Sequence, residues 1–136
     1  MPGRLLTTTL VVIALAAVFA AAAYARSIVR SQNRDLSVKV AIRPLHPRVG
    51  DVIVAHVKIV NTTGHVLRDA DVGDSWSTPT GGTAGEIGGT LGTGVIWKNV
   101  YRIRVTAKSP PGRYVIGGQA SDGHGSSHAQ LSVTLP

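Results

Sequence analysis

The sequence predicts an all-β protein, a single antiparallel β-sandwich preceded by one apolar N-terminal helix, and three observations lead to this prediction. An uncharged apolar run covers residues 5–25, a period-two alternation of apolar residues begins after Asp35, and turn signals rich in Pro, Gly and Asn separate the alternating segments. The chain of 136 residues has room for one domain, and about 100 residues remain after the apolar run, a common size for one sandwich.

The apolar run, LLTTTLVVIALAAVFAAAAYA, is long enough to cross a bilayer, because a helix of this length at about 1.5 Å per residue reaches about 30 Å. Its small-x-small ending at residues 23–25 also fits a secretory signal cleaved after Ala25. Residues 1–25 are therefore expected to be either a transmembrane anchor or a signal peptide. The domain is expected outside the cytoplasm, membrane-anchored in the first case and secreted or periplasmic in the second.

Residues 26–35, RSIVRSQNRD, carry Arg26, Arg30 and Arg34 but few apolar side chains, so a basic tether or a helix extension is expected there. The positive-inside tendency would draw these arginines toward the cytoplasm, which complicates an anchor. An exported domain remains the preferred interpretation, with the arginines serving as a spacer or as contacts to lipid headgroups.

Alternation then predicts the strands of the domain, residues 36–136. In LSVKVAI and DVIVAHVKIV (51–60) every second residue is apolar, which predicts two half-buried strands, and the turn NTTG (61–64) leads into a third, HVLRDADV (65–72). The glycine-rich stretch 77–94 is expected to be either a long mobile loop or a set of weak edge strands.

The segment VIWKNVYRIRV (95–105) is the clearest strand, with Val95, Trp97 and Tyr101 expected to face the core. After a proline-rich turn, residues 113–135 are expected to form a terminal hairpin. The last strand of this hairpin is predicted to bury Ala129, Leu131, Val133 and Leu135.

Two segments carry a family resemblance. HPRVGDVIVAHVKIVNTTGHVLRDADV resembles the first half of bacterial Ig-like domains of the CARDB and surface-protein repeat type, and PPGRYVIGGQASDGHGSSHAQLSV is similar to their closing half. The resemblance implies an Ig-like sandwich in which Tyr114 is a candidate for the corner tyrosine. It also implies a spacer or binding module, because such domains share no catalytic residues.

Charge and composition indicate an interaction module. Residues 36–136 contain ten basic and six acidic side chains, and no aromatic-rich basic strand or recognition helix accompanies the charge, so nucleic-acid binding is not expected. We expect an accessory or structural subunit that contacts a protein partner in a membrane or cell-envelope assembly. A small periplasmic copper- or zinc-binding protein and a filament or pilus-like subunit are the alternatives.

Four residues are the candidates for partner contact. Lys98, Arg102 and Arg104 alternate along one strand on the face opposite its apolar side chains, where they would meet an acidic protein, anionic lipid or an envelope polymer. The alternative is that these charges only solvate the strand. Trp76, at a strand end, is expected to be either an exposed partner contact or a lid over the core.

No metal and no cofactor are expected. The chain lacks cysteine, which excludes a thiolate site, and the alternative is a copper or zinc site formed by Asp122, His124 and His128 in the last hairpin.

Catalysis is not expected either. The single glutamate, Glu86, has no paired carboxylate, and no nucleophile motif is present. Asp69, Asp71 and Asp74 are interpreted as a solvated acidic edge.

Overall fold

The computed structural model describes the backbone of residues 27–32 and the whole of residues 35–136. These residues form eight β-strands and no helix, so none of them forms a helix that could cross a membrane. The apolar helix predicted over residues 5–25 lies outside the described residues. The strands are β1 (Ser27–Gln32), β2 (Leu36–Arg43), β3 (Val52–Asn61), β4 (Leu67–Thr78), β5 (Gly81–Leu91), β6 (Gly94–Arg104), β7 (Gly112–Asp122) and β8 (Gly125–Leu135).

The strands form two four-stranded antiparallel sheets that pack face to face. The first sheet has the order β1-β2-β3-β6, and the second has the order β5-β4-β7-β8. β5 and β6 are the edge strands on one side of the sandwich, whereas β1 and β8 are the edge strands on the other. The all-β prediction and its antiparallel two-sheet form are confirmed.

The core lies between the two sheets and follows the predicted alternation. β2 alternates strictly between buried and half-buried residues, and the inward side chains of β3 have no exposed surface. Gly118 of β7 faces the centre of this core, where a Cβ atom would lie 2.8 Å from Val38 and 3.0 Å from Val57. Glycine at this position therefore allows the two sheets to approach closely.

Within the segment 26–35, the structure differs from the sequence prediction over Ser27–Gln32. Instead of a tether or a helix extension, Ser27–Gln32 forms a strand that pairs with β2 along its whole length, from Ser27 opposite Ile42 to Gln32 opposite Ser37. A strand at a sheet edge is held by backbone hydrogen bonds, so a segment with few apolar side chains can form one.

The glycine-rich stretch contains an edge strand, one of its two predicted alternatives. β5 pairs with β4 from Thr78 opposite Gly81 to Leu67 opposite Leu91, and most of its residues are exposed. In β6 a register shift follows the pair formed by Ile59 and Trp97. Because of this shift, Val95 is 51% exposed, and the prediction that it faces the core is wrong.

The two ends of the sandwich carry different connections. β1 begins at Ser27, and we call the end of the sandwich where it begins the entry end. β2, β6 and β8 finish at this end, and the connections 44–51 and 105–111 lie there. The opposite end, called the far end, holds the turns at 62–66 and 123–124.

Candidate functional site

The outer face of the first sheet carries a row of lysines in register. Lys39 of β2 lies opposite Lys58 of β3, which lies opposite Lys98 of β6. Nearer the entry end, arginines of β2 and β6 share this face. We call the whole set the basic face: Lys39, Arg43, Lys58, Lys98, Arg102 and Arg104.

The three predicted contact residues of β6 belong to this face. Lys98, Arg102 and Arg104 are exposed, and they lie on the opposite side of β6 from Trp97. Sequence reasoning missed the cations of β2 and β3, although Lys39 and Lys58 each occupy a polar position of an alternating strand. Their alignment depends on strand register, which one sequence does not specify.

The positive charge of the basic face is not neutralised by ion pairs among the described residues. Within residues 35–136 none of its six cations forms an ion pair. Asp51 lines the margin of the face, and its Oδ2 accepts a hydrogen bond from the backbone N–H of Arg48 at 2.8 Å. Directly opposite residues in a sheet have Cβ atoms about 4.5–5.5 Å apart, so the lysines of the row repel each other.

At the entry end the basic face contains a depression of about 630 Å³. Arg43, Arg102 and Arg104 line it together with Pro44, Val52, Val54 and one carboxylate, that of Asp51. Arginine donates several N–H groups from a planar fork that matches the oxygens of a phosphate or carboxylate. The depression therefore has the chemistry of an anion-binding site.

Asp74 is buried, and its interpretation as part of a solvated acidic edge is wrong. Its side chain lies between the sheets, 4% exposed, whereas Asp69 and Asp71 are exposed as expected. The Nε1–H of Trp97 donates to Asp74 Oδ2 at 2.9 Å, and the Tyr101 hydroxyl donates to Asp74 Oδ1 at 2.7 Å. Asp74 thus connects β4 of the second sheet to β6 of the first.

The surroundings of the Tyr101 hydroxyl favour its neutral form. Burial raises the pKa of Tyr101 above its ordinary value, and the hydrogen bond and negative charge of Asp74 raise it further. The Asn99 side chain also donates to the Tyr101 hydroxyl, at 3.0 Å. The cluster of Asp74, Trp97 and Tyr101 is therefore a structural polar link inside the sandwich.

Trp76 packs in the core. Its side chain is 8% exposed, and its ring stacks on Tyr101 with centroids 5.8 Å apart. Of its two predicted alternatives the structure has the lid over the core, so Trp76 does not present an exposed ring to a partner.

The predicted metal ligands separate into two places. Asp122 and His124 lie together at the far end, but His128 is on the outer face of the second sheet, where it lines a groove with Glu86 and Gln119. Asp35, which sequence reasoning missed, completes the far-end group. One ligand atom from each of Asp35, Asp122 and His124 lies within 4.8 Å of the others.

The far-end group already forms internal hydrogen bonds. His124 Nδ1 lies 2.6 Å from Asp35 Oδ2 and 3.8 Å from Asp122 Oδ2, and the backbone N–H of His124 donates to Asp122 Oδ1 at 2.9 Å. An imidazole and two carboxylates are a donor set that zinc accepts. The same geometry also joins the start of β2 to the last hairpin without a metal.

Comparison with known proteins yields no relative. No family model matches the chain, and no curated protein or solved structure is significantly similar to it. The features that bear on function are therefore the basic face, the far-end group and the fold.

Proposed function

We propose that the chain is a non-enzymatic Ig-like interaction module that is anchored in a membrane, with its β-domain outside the cytoplasm. It serves as an accessory or structural subunit of an envelope or membrane protein assembly. Its basic face binds an acidic surface of a protein partner. The apolar run 5–25 supplies the anchor in this proposal.

The strand order supports the Ig-like part of the proposal. β2, β3 and β6 correspond to strands A, B and E of an Ig domain, and β4, β7 and β8 to strands C, F and G. β5 pairs with β4, the C strand, at the edge of the second sheet. In a constant-type Ig domain the corresponding strand belongs instead to the sheet of strands A, B and E.

Two core residues occupy positions typical of Ig domains. Trp76 is a buried tryptophan on β4, the C strand of this assignment. Tyr114 is the third residue of β7, and its hydroxyl donates to the Pro110 carbonyl at 2.9 Å, as in a tyrosine corner. Burial raises the pKa of Tyr114, which agrees with a neutral hydroxyl held in place.

The observation that carries the binding proposal is the lysine row without a carboxylate. Like charges directly opposite each other destabilise a sheet. Lys58 lies between two such neighbours, so a face serving only to solvate the sheet gains nothing from this arrangement. An acidic partner would relieve the repulsion on binding and would be attracted by long-range electrostatics.

The test replaces the lysine row by glutamine. The variant Lys39→Gln/Lys58→Gln/Lys98→Gln should lose proteins that co-purify with the wild-type chain from solubilised membranes and that dissociate as the salt concentration rises. Its thermal stability should stay equal or increase, and Lys58→Gln alone should increase it. Equal recovery of the same proteins by the variant at every salt concentration would reject the basic face as the binding surface.

A second candidate function, metal binding, is favoured by the far-end group. If the chain is a copper- or zinc-binding protein, one zinc ion per chain should bind in calorimetric titration, and His124→Ala should abolish the binding. His128→Ala is the matched control, because His128 lies outside the group and should leave the affinity unchanged. If the wild-type chain binds no zinc, metal binding is rejected and the interaction module remains as the proposed function. No observation among residues 27–32 and 35–136 favours a filament or pilus-like subunit.

A further inference from the structure

The position of β1 places one end of the sandwich beside the apolar run. β1 begins at Ser27, two residues after the run ends at residue 25. Two residues span at most about 7 Å, so an anchor in residues 5–25 would hold the entry end within about that distance of the bilayer surface. This step rests on the anchoring part of the proposed function.

The charges of the domain are unequally distributed between its two ends. Within residues 35–136 the far end holds the exposed carboxylates of Asp69 and Asp71 and the buried ones of Asp35 and Asp122, against one exposed cation, Arg68. Among the described residues, the entry end has one carboxylate side chain, that of Asp51. The cations at the entry end are Arg43, Arg48, Arg102, Arg104, Lys108 and Arg113.

Exposed features of the entry end suit a headgroup layer. Val49, on the 44–51 connection, is 68% exposed. The depression lined by Arg43, Arg102 and Arg104 opens on the same end. Arg104 makes one weak hydrogen bond, at 3.4 Å to the Gly50 carbonyl, which leaves most of its N–H groups for an anion.

We propose that the entry end docks on the membrane that holds the chain, and that Arg43, Arg102 and Arg104 bind the phosphate groups of anionic phospholipids. The lysine row, four residues farther along the strands, would then lie about 13 Å farther from the bilayer and remain free for the protein partner. The far end with its carboxylates would point away from the negative surface.

The expected strength follows from the charge of the surface. Each cation near an anionic leaflet favours the docked state by roughly fivefold, so removal of three arginines should reduce the docked-to-undocked ratio by about a hundredfold. Because the lysine row is more than one Debye length, about 8 Å, from the arginines at physiological salt, its removal should have a much smaller effect.

The experiment measures the distance of each end of the domain from the lipid. The chain has no cysteine, so Ala107→Cys at the entry end and Gly123→Cys at the far end each provide a single site for a fluorophore. The labelled full-length chains are reconstituted into vesicles of phosphatidylcholine, alone or with about a third phosphatidylglycerol, that contain a headgroup-linked nitroxide quencher. Flotation of the vesicles shows whether the chain is anchored.

Docking predicts stronger quenching at residue 107 in the anionic vesicles than in the neutral ones, where the anchor alone holds the entry end near the bilayer, and weak quenching at residue 123 in both. Arg43→Gln/Arg102→Gln/Arg104→Gln should abolish the difference between the two vesicles, whereas the lysine-row triple variant should retain it. Both triple variants replace exposed or half-buried cations, and unchanged tryptophan fluorescence would verify that they fold.

The outcomes separate this inference from the function on which it rests. A chain that does not float overturns the anchor, and the docking with it. A floating chain with equal quenching in the two vesicles overturns the docking alone. Quenching that survives in the arginine variant, or is lost in the lysine variant, overturns the assignment of the phosphate site.

Discussion

The link between Asp74 and the first sheet predicts a large loss of stability when the carboxylate is removed. Asp74→Ala leaves the Trp97 N–H and the Tyr101 hydroxyl without their acceptor inside the sandwich. Because these groups lie on β6, the substitution should weaken the attachment of β6 to the second sheet rather than a local turn.

The magnitude follows from the two bonds. A hydrogen bond to a charged group contributes about 1.5–3 kcal/mol, so two bonds contribute about 3–6 kcal/mol. Removal of the carboxylate also removes the cost of burying a charge, which offsets part of this loss. We therefore expect Asp74→Ala to lower the free energy of unfolding by about 2–4 kcal/mol.

Urea denaturation followed by tryptophan fluorescence measures this loss. The two tryptophans of the chain, Trp76 and Trp97, both lie near Asp74, so their emission reports the unfolding of this domain even in detergent-solubilised full-length chain. Asp71→Ala is the matched control, because Asp71 is an exposed carboxylate on the same strand and its removal should change stability by no more than about 0.5 kcal/mol.

A double-mutant cycle separates the link from general loss of packing. In a Tyr101→Phe background, which already lacks the hydroxyl donor, Asp74→Ala should cost less than in the wild-type chain. Equal effects of Asp74→Ala and Asp71→Ala on stability would refute the link, and so would an equal cost of Asp74→Ala in both backgrounds.

Two further predictions concern the core and its tyrosines. Gly118→Ala should destabilise the domain by about 1–3 kcal/mol, because its Cβ would lie within 3.0 Å of the Val38 and Val57 side chains, and urea denaturation with an unchanged value for this variant would contradict the close approach of the sheets. Stability should also fall as the pH rises above about 10, because Tyr101 and Tyr114 ionise more readily in the unfolded chain than in the folded one; the stability conferred by their raised pKa values is complete below that pH. Thermal melts between pH 8 and 11 test this prediction, and the decline should be shallower in Tyr101→Phe.

Much of the fold was predictable because several of its strands alternate with a period of two. In β2, and from Ile53 to Ile59 in β3, each inward position is Leu, Val, Ile or Ala, so the burial of these positions follows directly from the sequence. The strand formed by Ser27–Gln32 was not predictable in this way, because its sequence, SIVRSQ, does not alternate between apolar and polar residues.

The site was less accessible to sequence reasoning, although one signal was present. Asp74 has the same parity along β4 as Val72 and Trp76, so alternation alone places it on the inward face. In contrast, Asp35 and His124 are 89 residues apart, and only the assembled sandwich brings them together. The alignment of Lys39, Lys58 and Lys98 also requires the register of three strands, which a single sequence does not contain.

The antiparallel pairing of β1 has a mechanical consequence for an anchored module. If a partner pulls the domain away from a membrane that holds residues 5–25, the force acts at Ser27 along the axis of β1. The hydrogen bonds between β1 and β2 run perpendicular to the strands, and all six residue pairs from Ser27 to Gln32 would bear the force together in shear. The strand would resist such a pull more strongly than if its pairs separated one at a time, as they would if β1 were peeled from the sheet sideways.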